Sequence, residues 1–456
     1  MLQFHQIPIT FFMFLLIGLG FGLSACQQTN QIVHRKAEVP KLTIATAKVY
    51  VAVGIENYPN ETYAIYLPST YDLKKTYPLY IFCDPQGSAA YPIAKYQSLA
   101  ESYQAILVGS NNCKNGIDLN TCISYLEHIV EECKMKYAIN DSFLNVCGFS
   151  GGAKVAGAYA AMHSEVHSLV GGGAMPTLEQ CPQKMPILVF AGNRDMNFTD
   201  LVNFQTHAKA SESLYDVTLL EFDGKHEWPD SITYEYAFVM NEQVYSGTSN
   251  ALRFIEKMES KKYNGVVAQI NAYQAAIHLL GNRVDAKKLQ RFVDEASSKP
   301  ETKVLVAQKA AQVKVEQGLK DYYNKLIGQK DLIWWTSERE KLMHPENEAD
   351  LDMCTRVLGF LSLAGYSYSN RYTNQNDFKN ATQMLDFYRA VDPQNSDQPY
   401  LSAIMYSKMG DKVKAISSLN QAIKMGFNNK SKLLGETAFQ PLVNDVDFKK
   451  VIALLK

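Results

Sequence analysis

A serine, an aspartate and a histidine stand in that chain order at three joints where apolar runs give way to turns. The first joint is Gly148-Phe149-Ser150-Gly151-Gly152, where the apolar run 143–148 meets the Ala-rich stretch 151–162. A serine hydroxyl is a weak nucleophile until a base takes its proton, and the base works well only when an acid orients it. The G-x-S-x-G spacing suits such a nucleophile. Held at strained backbone angles on a sharp strand-to-helix turn, it needs neighbours without side chains two positions to either side. Gly151 then offers a bare N–H to a developing oxyanion. A tight turn of small residues also explains the glycines, but not their position between a strand pattern and a helix pattern.

The partners follow downstream. "PILVFAGNRDMNF" is an apolar run that breaks into Gly192-Asn193-Arg194-Asp195, and "VTLLEFDGKHEWP" breaks into Gly224-Lys225-His226-Glu227-Trp228-Pro229. Both loops come at the carboxyl ends of strand patterns, the edge where open α/β sheets bind ligands. Asp195 is the expected orienting acid and His226 the expected base. Helix capping by Asp195 and simple exposure of His226 are the competing readings. The other histidines of this region, His163, His167 and His207, fall in or beside helical patterns. A second oxyanion donor is expected from Asp84-Pro85-Gln86-Gly87, with the N–H of Gln86 favoured and Gly87 next. Gly109-Ser110-Asn111-Asn112 also follows a strand pattern, so Asn111 and Asn112 are expected either to bind substrate or to form a polar turn. Trp228 offers an apolar or sugar-stacking wall, or packs on the sheet edge.

These residues need a frame. Strand patterns occur at 62–67, 79–83, 105–109, 143–148, 187–191 and 217–222, with amphipathic stretches at 93–102, 122–136, 151–162 and 200–211 between them. Such alternation predicts a mostly parallel sheet flanked by helices. Only about 45 residues separate Ser150 from Asp195, which leaves no room for a large cap domain and predicts an open site. Beyond Met258 the strand signals fade into helices. In the tail, Tyr372, Ala381, Leu385 and Pro393 are followed about 34 residues later by a matching set around Tyr406, Gly410, Ala415 and Leu419. That interval is the tetratricopeptide period.

Composition removes other classes. The net charge is −1 over 456 residues, with 46% hydrophobic and 20% charged residues. These are globular values, and without a basic surface no nucleic-acid partner is expected. Eight cysteines form no CxxC pair and no Cys/His cluster, so neither a metal nor another cofactor is expected. A Cys113–Cys122 disulfide is left open. At the amino terminus, residues 9–23 form an apolar core that runs into Leu23-Ser24-Ala25-Cys26 and a polar stretch. This resembles a bacterial lipoprotein signal, although residues 1–8 carry no Lys or Arg. The resemblance implies cleavage before Cys26, lipidation of its thiol, and a lipid-anchored place in the cell envelope, periplasmic or at the surface. The expected organisation is a signal over 1–25, a lipidated tether over 26–40, an α/β unit over 41–258 and a helical unit over 259–456.

With these residues in view, 41–258 resembles the α/β-hydrolase superfamily. The DPQG loop, GFSGGA, GNRD and GKHEWP resemble its branch of feruloyl and acetylxylan esterases and polyhydroxybutyrate depolymerases. The resemblance implies ester hydrolysis with Ser150 as nucleophile, His226 as general base and Asp195 as orienting acid, on an ester of a carbohydrate or an aromatic acid. The tail resembles tetratricopeptide proteins, which implies a protein partner. A hydrolase-fold scaffold without activity, whose repeats bind a protein or peptide, is the rival reading, and a serine peptidase the third.

Overall fold

The computed structural model describes residues 44–211, 214–242 and 249–455. The signal sequence, Cys26 and the tether expected from the sequence lie outside these residues. Eight strands form one sheet: β1 (Val49–Ile55), β2 (Tyr58–Tyr66), β3 (Tyr77–Cys83), β4 (Ile106–Ser110), β5 (Ile139–Phe149), β6 (Val166–Gly172), β7 (Pro186–Gly192) and β8 (Asp216–Phe222). Their order across the sheet is β1-β2-β4-β3-β5-β6-β7-β8. β2 pairs antiparallel with β1 and with β4, and every other pairing is parallel. The helices between the strands are α1 (Ala90–Tyr103), α2 (Leu119–Lys136), α3 (Gly151–Met162) and α4 (Phe198–Ala210), and α5 (Ser231–Met240) follows β8. This is the α/β-hydrolase fold, continued by an all-helical region.

The central strand shows why the sheet must be covered on both sides. Every residue of β3, YPLYIFC, is buried, so its sequence reads as an unbroken apolar run without alternation. One face packs under α1 and α5, with Tyr96, Tyr234 and Phe238 in its core. The other packs under α2, α3 and α4, with Leu126, Ala156 and Phe204. In α3 the residues Gly152, Ala153, Ala156 and Gly157 are buried, which lets the helix lie close to β5.

Two strands escaped the sequence reading. β1 pairs with β2 at the sheet edge and keeps half-exposed and exposed residues along most of its length. β6 is seven residues, VHSLVGG, with His167 near its start. That histidine is therefore in a strand, not beside a helix.

The helical part begins with α6 (Ser249–Ser260), α7 (Val266–Leu280), α8 (Lys287–Ser298), α9 (Pro300–Leu326) and α10 (Leu332–Met343). The core under the α1–α5 face runs on past Met258 through Tyr273 and Leu289 to Ala296, and α7 packs directly on β8. Then come α11 (Leu351–Asn374), α12 (Phe378–Val391), α13 (Asp397–Lys408), α14 (Lys412–Lys424), α15 (Lys430–Gly435) and α16 (Val446–Ala453). The turns α11–α12 and α13–α14 repeat each other 34 residues apart. Asn376 and Gly410 take positive φ, Asp377 and Asp411 donate their N–H to the carbonyls of Tyr372 and Tyr406, and each aspartate caps the next helix. Ala381, Leu385, Ala415 and Leu419 lie in the core these helices share.

Candidate active site

Ser150 sits between the last residue of β5 and the first of α3, at φ 52° and ψ −123°. This left-handed backbone is rare for a residue with a side chain and marks a strained position. The flanking glycines make it possible. A Cβ on Gly148 would stand 2.3 Å from the carbonyl oxygen of Gly152, and one on Gly152 would stand 2.0 Å from that of Cys83. Both distances lie inside van der Waals contact, so only hydrogen fits. The Ser150 N–H donates to the Gly172 carbonyl at 2.7 Å, which pins the elbow to β6.

His226 reaches this serine from the loop after β8. Its Nε2 lies 2.9 Å from Ser150 Oγ, and its Nδ1 lies 2.9 Å from both carboxylate oxygens of Asp195. A carboxylate only accepts, so Nδ1 carries the hydrogen and Nε2 is left as the acceptor facing the serine. Asp195 is 1% exposed while the imidazole is 23% exposed: the acid is enclosed and the base meets solvent. The ring of Phe149 packs against the imidazole at 4.7 Å between centroids.

The acid and base loops are stitched to each other. Asn193 Oδ1 accepts the N–H of Gly224 at 3.0 Å, Arg194 N–H donates to the Gly224 carbonyl at 2.9 Å, and Arg194 pairs with Asp223 at 2.9 Å. The Asn197 N–H donates to Asp195 Oδ1 at 2.9 Å. Between β6 and β7 the chain forms only a three-residue helical turn, Leu178–Gln180, so no cap domain is inserted there.

The remaining expected site residues differ in what their polar groups touch. Gly151, first residue of α3, has an N–H without an intrahelical acceptor. The N–H of Gln86 instead donates to Asp84 Oδ1 at 2.9 Å, and that of Gly87 to the Asp84 carbonyl at 3.0 Å. The turn thus engages both N–H groups favoured as oxyanion donors. Asn111 and Asn112 use their side chains within the protein, in keeping with the polar turn expected as the alternative to substrate binding. Asn111 Nδ2 donates to the Val51 carbonyl and Thr62 Oγ1, while Asn112 accepts the Thr62 N–H and donates to the Asn60 carbonyl. Trp228 is 5% exposed, packs among Phe82, Phe149 and Tyr234, and donates Nε1–H to Asp84 Oδ2 at 3.0 Å. It is a core residue rather than a wall. Cys113 and Cys122 are free, buried thiols.

The sequence reading missed Asn115. Its N–H donates to the Pro85 carbonyl at 2.8 Å, which brings its carboxamide over the start of α3, where Oδ1 lies 1.9 Å from the position a Gly151 Cβ would take. Nothing local in "NNCKNGIDLN" distinguishes this asparagine from its neighbours. Only the crossing of two loops selects it.

Comparison with known proteins bears on this segment. Residues 73–237 match the family described as Serine hydrolase (FSH1). That stretch contains Ser150, Asp195 and His226, and stops before α6. No curated protein matches the chain. Among solved structures, the chain is similar to esterase B of Lactobacillus rhamnosis inhibited by a tributyrin phosphonate, at 13% identity over 46% of this chain and 91% of that one, with a TM-score of 0.37. It is also similar to a ferulic acid esterase of Anaeromyces mucronatus in complex with ferulic acid, at 15% identity over 46% and 92%, with a TM-score of 0.32. Esterase 2 of Thermogutta terrifontis, phosphonylated by cyclosarin, matches at 12% identity over 44% and 92%, with a TM-score of 0.33.

Proposed function

We propose that the protein is a serine-dependent carboxylic ester hydrolase working through an acyl-enzyme. The observation that carries this reading is the unbroken chain Asp195–His226–Ser150, with every link at 2.9 Å and the serine on a strained elbow. The family match over the same segment supports it.

The steps follow from the atoms. As Ser150 Oγ attacks the ester carbonyl, its proton passes to His226 Nε2, and Asp195 stabilises the imidazolium without taking the proton. The tetrahedral oxyanion is met by the N–H of Gly151 at the positive end of α3. His226 then returns the proton to the leaving alcohol, and water, activated by the same imidazole, releases the acid. The open approach to His226 supports substrates with bulky alcohol or acyl parts, and esters of carbohydrates or aromatic acids are the proposed class. A panel of aryl, acetyl-sugar and feruloyl-sugar esters tests the reading. Turnover by the folded protein that disappears in Ser150→Ala supports it, and no turnover on any member favours the scaffold reading.

The matching turns of the tail support tetratricopeptide-like repeats, and with them a protein or peptide partner. Leu23-Ser24-Ala25-Cys26 supports lipidation and anchoring in a bacterial envelope. Metabolic labelling with a fatty acid, lost in Cys26→Ser, tests that placement.

A further inference from the structure

The loop that carries Asp195 is gripped by two helices outside the sheet, and the grip is charged and buried. From α9, Lys320 Nζ donates to the Met196 carbonyl at 2.6 Å and to Thr199 Oγ1 at 2.9 Å. From α11, Arg356 Nη1 donates to the Asn193 carbonyl at 2.5 Å. The two cations are joined by Glu316, whose carboxylate meets Lys320 at 2.7 Å and Arg356 at 2.7 Å. None of these three side chains is more than 6% exposed. One turn before Arg356 on α11, Asp352 Oδ2 accepts from Asn193 Nδ2 at 3.0 Å.

The grip falls on both sides of the acid. Asn193 and Met196 bracket Asp195, and the carbonyl of each is held by a cationic donor, the stronger kind of hydrogen bond. Asn193 also reaches the base loop: while its Nδ2 is held by α11, its Oδ1 takes the Gly224 N–H two residues before His226. One side chain therefore joins the acid loop, the base loop and the helical region. Burying three charges carries a desolvation cost that apolar residues of similar size would avoid. A surface that only glued the two regions together would not need carbonyl-directed cations on either side of one aspartate.

We propose that Lys320, Arg356 and Asp352 of the helical region are positioning residues for the triad, fixing Asp195 and, through Asn193, His226. The inference rests on the esterase reading above. On it, the helical tail is a working part of the catalytic site and not only a docking module.

The test uses the full chain and a small aryl ester, with the folded fraction of each variant read by near-ultraviolet circular dichroism. Misplacement of a catalytic group by about 1 Å costs on the order of a hundredfold. Arg356→Met should therefore lower kcat per folded molecule by roughly ten- to a hundredfold with KM within about twofold, and Arg356→Lys should restore part of the loss. Asp352→Ala removes the hold on Asn193 Nδ2 at a residue that borders a cavity of about 430 Å³, where truncation disturbs less packing than at Arg356. It should lower kcat by roughly three- to tenfold, and it decides the matter if Arg356→Met does not fold. A fall in melting temperature with kcat per folded molecule unchanged in these variants overturns the proposal and makes the cluster structural glue. Ser150→Ala separates the two readings: unchanged turnover there overturns the Ser150-dependent mechanism on which the proposal rests. Serine-dependent turnover with normal kcat in the Arg356 and Asp352 variants overturns the positioning role alone.

Discussion

Asp195 presents both carboxylate oxygens to the Nδ1 of His226, each at 2.9 Å, from a position 1% exposed. An enclosed carboxylate that accepts from the ring fixes which nitrogen bears hydrogen and how the imidazole faces Ser150. Asp195→Asn keeps the shape and supplies a donor where an acceptor is required. The expected outcome is a folded protein with kcat reduced by about ten-thousandfold, measured by initial rates on an aryl ester. A residual rate within tenfold of the parent would mean that another group orients the base.

Gly152 has a backbone oxygen where a side chain would begin. A Cβ there lies 2.0 Å from the Cys83 carbonyl oxygen, so Gly152→Ala must push α3 away from β3. Overpacking of this kind costs about 1–3 kcal/mol, and it also carries Ser150 out of line with His226. Thermal unfolding should show a clear fall, and turnover should drop far more than the lost folded fraction accounts for.

Trp228 supplies a prediction in which stability falls and function does not. Trp228→Phe keeps an aromatic ring in the cluster but removes the Nε1–H that Asp84 Oδ2 accepts. Leaving a buried acceptor short of a partner costs about 1–3 kcal/mol, so the denaturation midpoint should fall. KM for aromatic and sugar esters should stay near the parent value, because the ring is buried among Phe82, Phe149 and Tyr234. A selective rise in KM for sugar esters would restore Trp228 as a substrate wall.

The site was legible where a local pattern carried it. Ser150 stands between an apolar run and an Ala-rich one, and Asp195 and His226 end apolar runs, so strand-end logic picks out the three side chains that the fold links one to the next at 2.9 Å. What crosses between segments was not legible. Trp228 is two residues from His226, yet one ring turns to the serine and the other into the core, and no periodicity governs a loop. Asn115 is chosen by its bond to the Pro85 carbonyl, and Arg356 by a carbonyl far upstream at Asn193. The sheet followed the same rule. β3 and β7 are apolar throughout and were found. β6 is short, carries His167 and runs into Gly171-Gly172-Gly173, which reads as a loop.

Glu101 gives stability a pH dependence separate from that of catalysis. Burial raises its carboxyl, but hydrogen bonds from Ser69 and Tyr66 outweigh this and hold it below the usual carboxylate range. A carboxyl depressed by folding contributes stability that is present above its unfolded value, about 4.3, and is lost as pH falls through the folded one. The gap in melting temperature between the parent and Glu101→Gln should therefore narrow as pH is lowered from 7 towards 3. On the proposed mechanism catalysis should fail on the acid side for another reason, since a protonated imidazole cannot accept the serine proton. Turnover in Glu101→Gln should keep the parent's acid limb.

The central claim is that Ser150 is a nucleophile activated by His226, and covalent trapping tests it most directly. The full chain is incubated with a fluorophosphonate, digested, and the labelled peptide sequenced by mass spectrometry. The account predicts one adduct, on the peptide containing Gly148-Phe149-Ser150-Gly151-Gly152, absent in Ser150→Ala and slowed by orders of magnitude in His226→Gln. An adduct retained in folded Ser150→Ala, or labelling of Ser150 at the parent rate in His226→Gln, would contradict it.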